Sequence, residues 1–192
     1  MNTSVSLCLV GNIASQKSFA RHRGFTLIEL MATIAVLAVL ITIAAPDLSQ
    51  FIVRNRLTGQ ANQLLGDLSL TRSEAAARHT PVTICAAASA TACAGAGTSN
   101  WESGWIVFVD SDGDGAMAAT TDIIKYVAAP GGNSTIVSSG FTNTDRLTYR
   151  PFGGLLPAQQ GTFTLCVSGY QSGNDIRISA TGRPLASKIT TC

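Results

Sequence analysis

Residues 25–45, FTLIELMATIAVLAVLITIAA, place a single ionisable side chain, Glu29, in a run of 21 otherwise uncharged residues. As a helix rising 1.5 Å per residue the run would reach about 31 Å, the thickness of a bilayer's hydrocarbon core. It therefore predicts a membrane-spanning helix. Upstream, the charges of residues 1–24 are Lys17, Arg21 and Arg23, with His22 beside them and no carboxylate. A basic flank of this kind stays cytoplasmic, so the chain beyond the run is expected to be exported. Only 12% of residues are charged, about half the share of a typical soluble domain, as a chain with such a segment requires.

A cleaved secretory signal also has a basic flank followed by an apolar stretch, but its apolar region is shorter and ends at the small-residue cleavage site. Here Gly24 stands before the apolar run and after the basic patch. Cutting there would remove the leader and keep the apolar helix. RGFTLIEL at 23–30, followed by that unbroken run, resembles the prepilin processing site of type IV pilins and type II secretion pseudopilins. The resemblance implies cleavage by prepilin peptidase after Gly24 and N-methylation of the new terminal Phe25. It also puts Glu29 at the family's place for that residue, five into the mature chain, and Pro46 where such helices often kink.

Glu29 stands out on physical grounds too. A carboxylate inside a membrane helix costs about 2.5–3.5 kcal/mol at the centre and less near an end, so it persists where it finds a partner. The resemblance supplies the free amine of a neighbouring subunit's Phe25. The simpler account is that an acid in the first turn complements the helix dipole.

From 47 to 79 the chain keeps helical spacing. Leu57, Ala61, Leu64, Leu65, Leu68, Ala75 and Ala76 fall on or near one face, with Arg54, Arg56, Gln60, Gln63, Asp67 and Arg72 largely around the other. Thr80-Pro81 ends this amphipathic helix, because a residue before proline avoids the helical region. Beyond Pro81, short β-branched runs separated by Gly, Ser, Asn and Asp predict strands at 82–87, 104–110, 123–128, 134–137, 147–150, 162–168, 175–180 and 185–190. Residues 86–99, AAASATACAGAGTS, read as a small-residue loop. The expected fold is α+β: a long N-terminal helix, membrane-spanning in its first half and amphipathic in its second, on an antiparallel, partly two-layered β head. The parts are a leader over 1–24, a transmembrane stem over 25–45, an amphipathic helix over 46–80 and a periplasmic head over 81–192.

Trp101, then GWIVFVD running into an Asp/Gly turn, the late TFTLC strand and a terminal ATGRP before the last cysteine are similar to the GspH/FimT family of minor pilins and pseudopilins. The likeness covers essentially all of the mature chain. It implies a structural subunit of a type IV pilus or a type II secretion pseudopilus, anchored by a single pass in the bacterial inner membrane with its head in the periplasm. The implied partners are other pilin or pseudopilin subunits, prepilin peptidase and the inner membrane. In the FimT branch the resemblance adds double-stranded DNA, bound through a basic GRxR motif during DNA uptake. The matching residues here are Gly182, Arg183, Pro184 and Leu185, with the second Arg replaced by Leu and Lys188 three positions later. A type II secretion minor pseudopilin with no DNA role is the alternative.

Removing the leader would discard Cys8 and leave four cysteines, an even set expected to pair in an oxidising compartment. Three connectivities are open. The favoured one joins Cys85 to Cys93 across the small-residue loop and Cys166 to Cys192, tying the last residue to a core strand. No CxxC spacing supports zinc. Asp110, Asp112, Asp114 and Gly115 match the first half of a calcium loop, but Thr121 stands where the bidentate Glu is needed, so a hairpin turn is the better account. The one histidine after the leader, His79, sits at a helix end, and nucleophile elbows, HExxH and phosphate-cradling loops are absent from the sequence. Neither an enzyme nor a cofactor is expected.

The formal net charge of +2 hides a polarised distribution. Over 146–192, Arg146, Arg150, Arg177, Arg183 and Lys188 face Asp175 alone, whereas over 99–145 Lys125 faces Glu102, Asp110, Asp112, Asp114, Asp122 and Asp145. A basic end of this kind suits phosphates, with salt-sensitive affinity, or an oppositely charged neighbouring subunit. Arg177, Arg183 and Lys188 are the candidate DNA contacts.

Overall fold

The structure, a computed structural model, describes residues 24–156 and 160–192, with the side chains of 43–47 outside the description. Cys8, the basic leader residues and the Pro46 side chain lie outside the described residues. The chain divides into two compact units, the first ending at Ile43 and the second running from Ala44 to Cys192.

Helix α1 is Leu27–Arg78. Thr26 begins it: its Oγ1 accepts the backbone N–H of Glu29 at 3.2 Å, the bond an N-cap threonine makes to the third helical residue. His79 ends it in the left-handed region, φ 52°, just before the extended Thr80-Pro81. In the first unit the large apolar side chains are turned outward, including Leu27, Ile28, Leu30, Met31, Ile34, Leu37 and Leu40.

Two expectations are corrected here, the membrane-spanning first half of the helix and the single-pass placement in the bacterial inner membrane with a periplasmic head. Among the described residues no helix is long and apolar enough to cross a membrane. The apolar start of α1 carries a carboxylate, Glu29, in its first turn, a residue type that a hydrocarbon core disfavours.

Among the described residues of the second unit ten strands follow: β1 (Val82–Ser89), β2 (Ala92–Cys93), β3 (Gly104–Val109), β4 (Ile123–Ala128), β5 (Ser134–Ser139), β6 (Arg146–Tyr149), β7 (Leu155–Leu156), β8 (Gly161–Val167), β9 (Gly173–Ile178) and β10 (Pro184–Ile189). They form two antiparallel sheets, one ordered β4-β3-β1-β6-β7 with β2 on β1, the other β10-β9-β8-β5. The small-residue loop is partly strand. β1 runs on to Ser89 and turns back into β2, pairing Ala87 with Cys93, with a register shift at the turn. A bond joins Cys85 to Cys93 in that hairpin. A second joins Cys166 on β8 to the terminal Cys192. Each such link restricts the unfolded chain by about 2–4 kcal/mol.

The core joins both sheets to the inner face of α1. Leu57, Ala61, Leu64, Leu68 and Ala75 pack in one cluster with Ile84, Trp105, Val107 and Leu147 of the first sheet and Ile136, Phe163, Leu165, Ile176 and Ile178 of the second. Ala76, expected on this face, is exposed. Two polar residues expected on the outer face are instead buried within it, Gln60 at 5% exposure and Asp67 at 2%. Gln60 Nε2 donates to the carbonyls of Pro130 and Gly131, both at 3.1 Å. Asp67 Oδ2 accepts Trp105 Nε1–H at 2.9 Å, and Oδ1 accepts Lys125 Nζ at 2.6 Å.

One carboxylate thus ties α1 to both β3 and β4. Removing it would leave the fully buried indole N–H unpaired and uncouple Lys125. Asp67→Ala should therefore lower stability by about 2–4 kcal/mol, read as a lower urea midpoint at unchanged slope. Lys125→Met should cost less, because that lysine is 42% exposed. Equal costs for the two variants would refute the central place given to Asp67.

Candidate functional site

The residues singled out from the sequence fall into four places. At the start of α1, Phe25 is 84% exposed. Gly24 and Glu29 are exposed too, and the Glu29 carboxylate forms no ion pair among the described residues. The cysteine pairs are as given above.

The third place is the turn after β3. Asp110 is 1% exposed, whereas Asp112 and Asp114 are exposed. One carboxylate oxygen from each lies within 4.8 Å of the others. The Asp110 oxygens are engaged by the protein itself. Oδ1 accepts Gly113 N–H at 3.1 Å, while Oδ2 accepts Gly115 N–H at 3.0 Å and the Thr83 hydroxyl at 2.6 Å. Asp114 Oδ1 accepts Ala116 N–H at 2.6 Å. The three carboxylates are the described residues best placed to hold a cation, yet these bonds use them to close an Asp/Gly turn. Arg146 reinforces it, donating from Nη1 to the Gly115 carbonyl and from Nε to Asp145 Oδ2, each at 2.6 Å. One charge counted in the basic end is therefore engaged by the acidic middle.

The fourth place is the basic end. Arg177 on β9 lies opposite Leu185 on β10, and Arg183 immediately precedes β10. Arg177, Arg183 and Leu185 line one open groove of about 530 Å³, together with Gly140, Thr162 and Ser179. Lys188 is not among them. It pairs in register with Asn174, so strand alternation sets it on the opposite sheet face from Arg177, and it lines a cleft against Arg54 and Leu57 of α1. The three candidate DNA contacts are thus split two and one.

The loop carrying Arg183 is held by a backbone approach. A Cβ on Gly182, φ +74°, would lie 2.5 Å from the Gly153 carbonyl. Gly153 belongs to the β6–β7 turn, whose preceding residue, Phe152, is 97% exposed. Sequence reasoning missed this juxtaposition because the two glycines are far apart along the chain. It also missed the inward Gln60 and Asp67, although both stand three residues after an inward leucine, Leu57 and Leu64, a spacing that marks the same helical face.

Burial pushes the Asp110 carboxyl above its usual value of 3.8, against the lowering effect of the Thr83 and Gly115 hydrogen bonds. A raised folded value means that the folded state holds this proton to higher pH than the unfolded chain. The associated stabilisation is full below pH 3.8 and is lost as pH rises through the raised value. Asp110→Asn, which cannot titrate, should remove that falling component from the stability–pH curve, as measured by urea unfolding from pH 3 upward. An unchanged curve would refute the assignment.

Residues 60–182 match the family described as type II transport protein GspH. Residues 19–45 match the prokaryotic N-terminal methylation motif. Among solved structures, the fold is similar to two crystal forms of the type IV minor pilin FimU of Pseudomonas aeruginosa strain PAO1. The P65 form is 23% identical and covers 71% of this chain and 99% of that chain at a TM-score of 0.54. For the P21 form the values are 24%, 74%, 98% and 0.57. At this identity the likeness speaks for the fold. Among curated proteins no relative matches.

Proposed function

This chain belongs to the GspH family, and from that premise we propose that it is a minor subunit of a pilus-type filament, matured by prepilin peptidase through cleavage after Gly24 and N-methylation of Phe25. The family consists of pilin-like structural proteins without catalytic function, and a structural, pilin-like role with other pilin subunits as partners follows for this chain. The observation that supports the finer reading is the start of α1, where the residues matched by the methylation motif present an exposed apolar surface. An apolar surface of that extent calls for cover by a partner, and stacked stems of neighbouring subunits supply it. Glu29 then takes the role of setting register against the free amine of the next subunit's Phe25.

Mass spectrometry of the chain produced alongside a prepilin peptidase should give a mature terminus at Phe25 carrying one added methyl. Gly24→Val should leave the leader attached. Glu29→Ala should still be processed but enter filaments at a several-fold lower level. A mature terminus elsewhere would reject the processing site, and normal incorporation of Glu29→Ala would reject the register role.

A second reading, contact with double-stranded DNA by the head, is favoured by Arg177 and Arg183 lining one groove. Lys188, on the other sheet face, takes no part in it. In gel shifts at two salt concentrations, Arg177→Ala with Arg183→Ala should weaken binding and lower the salt slope by about 2, one for each phosphate no longer neutralised. Lys188→Ala should leave both unchanged. If the wild-type chain does not shift DNA, this second reading is rejected.

A further inference from the structure

Lys188, displaced from the candidate DNA groove, lies in a cleft of about 300 Å³ between α1 and the ends of β9 and β10. We propose that this cleft binds a small organic oxyanion, a carboxylate or phosphate carried on a short apolar body. Its charge is one-sided. Arg54 from the helix and Lys188 from the strand both line it, and no carboxylate does. Neither cation has an ion-pair partner among the described residues. Arg54 makes one 3.2 Å bond, from Nη2 to Gln50 Oε1, leaving other guanidinium donors for a ligand.

The floor points to a ligand as well. Asn174 is 8% exposed and lines the cleft. Its side-chain amide makes no hydrogen bond among the described residues, and its atoms are not fully buried, so its donors and acceptor are open to the cleft they line. It stands in register with Lys188, so the amide and the ammonium face the same side. Leu57, 1% exposed, supplies an apolar wall beside them, and Thr58 and Ser172 add hydroxyls. A few convergent polar groups over an apolar base, in a volume at the small end of the range for ligand pockets, fit one anionic head and one short apolar body.

The wall is also held in place. Residues 188–190 line the cleft, and two residues on Cys192 is bonded to Cys166 of β8. An edge strand with mostly exposed side chains is thereby tied at its far end. The donors are arranged before a ligand arrives, which reduces the ordering cost of binding.

The test is calorimetry and NMR of the full-length chain with phenyl phosphate, benzoate, inorganic phosphate and benzyl alcohol. Phenyl phosphate or benzoate should bind saturably and shift the Asn174 side-chain amide resonances, and benzyl alcohol should do neither. Inorganic phosphate should bind about tenfold more weakly than phenyl phosphate. Lys188→Gln, an exposed substitution that leaves the fold intact, should weaken binding about tenfold, as should Arg54→Gln, and added salt should weaken it further. Asn174→Leu should abolish binding with an unchanged far-UV spectrum. Benzyl alcohol binding as well as benzoate would overturn the oxyanion assignment. Unchanged affinity in both cation variants, or no saturable binding by either aromatic anion, would overturn the site.

Discussion

A carboxylate buried in a helix–sheet interface is tolerable only when donors surround it, and Asp67 meets that condition with the indole of Trp105 and the ammonium of Lys125. Those two donors come from adjacent strands, β3 and β4, which are also joined to each other in an antiparallel ladder. The helix is thus fixed to the first sheet by direction as well as by apolar area. Apolar contacts alone would allow sliding, since Leu, Ile and Val fit many neighbours about equally well. A bonded carboxylate does not slide. The register of α1 against the sheets in turn sets where Arg54 and Leu57 stand relative to β9 and β10.

The remaining charges are also placed by pairing. The acidic middle and the basic end, opposite in sign along the chain, are partly reconciled inside the fold, because Arg146 clamps the Asp110 turn while pairing with Asp145. Among the described residues, the basic side chains of β9 and β10 and of the turn between them have no ion pair and separate by strand alternation. Arg177 and Arg183 open onto one groove, and Lys188 joins Arg54 in another place. The charge count of the last quarter of the chain overstates what any single surface presents.

Much of the head was legible locally. Eight strands announced themselves through β-branched runs between turn residues, and each lies within a few residues of its expected span. β2 and β7 did not, because a two-residue strand has no period and exists only through its partner, β1 or β6. The end of α1 at Arg78 followed from the proline three residues on. The apolar run at 25–45 invited a stronger conclusion than the helix supports. Counting uncharged residues gives a length, but among the described residues no helix is long and apolar enough to cross a membrane. The inward faces of Gln60 and Asp67 were misjudged for another reason, since polarity was taken to mean solvent although the i+3 spacing from Leu57 and Leu64 put both on the buried stripe.

The sequence by itself determined the order of elements, the helix-then-strands architecture, the N-terminal methylation motif over 19–45 and the four cysteines beyond it. Those are properties of neighbours along the chain, set by local sterics, periodicity and residue chemistry. Only the tertiary structure decided which cysteines meet, that Asp67 faces inward, that Lys188 parts company with Arg177 and Arg183, and that Asn174 stands unpartnered beside Arg54. Each of these depends on the pairing of strands distant in sequence and on the face a residue presents after that pairing. A shift of one residue in register would reverse the face, and no local pattern carries that information.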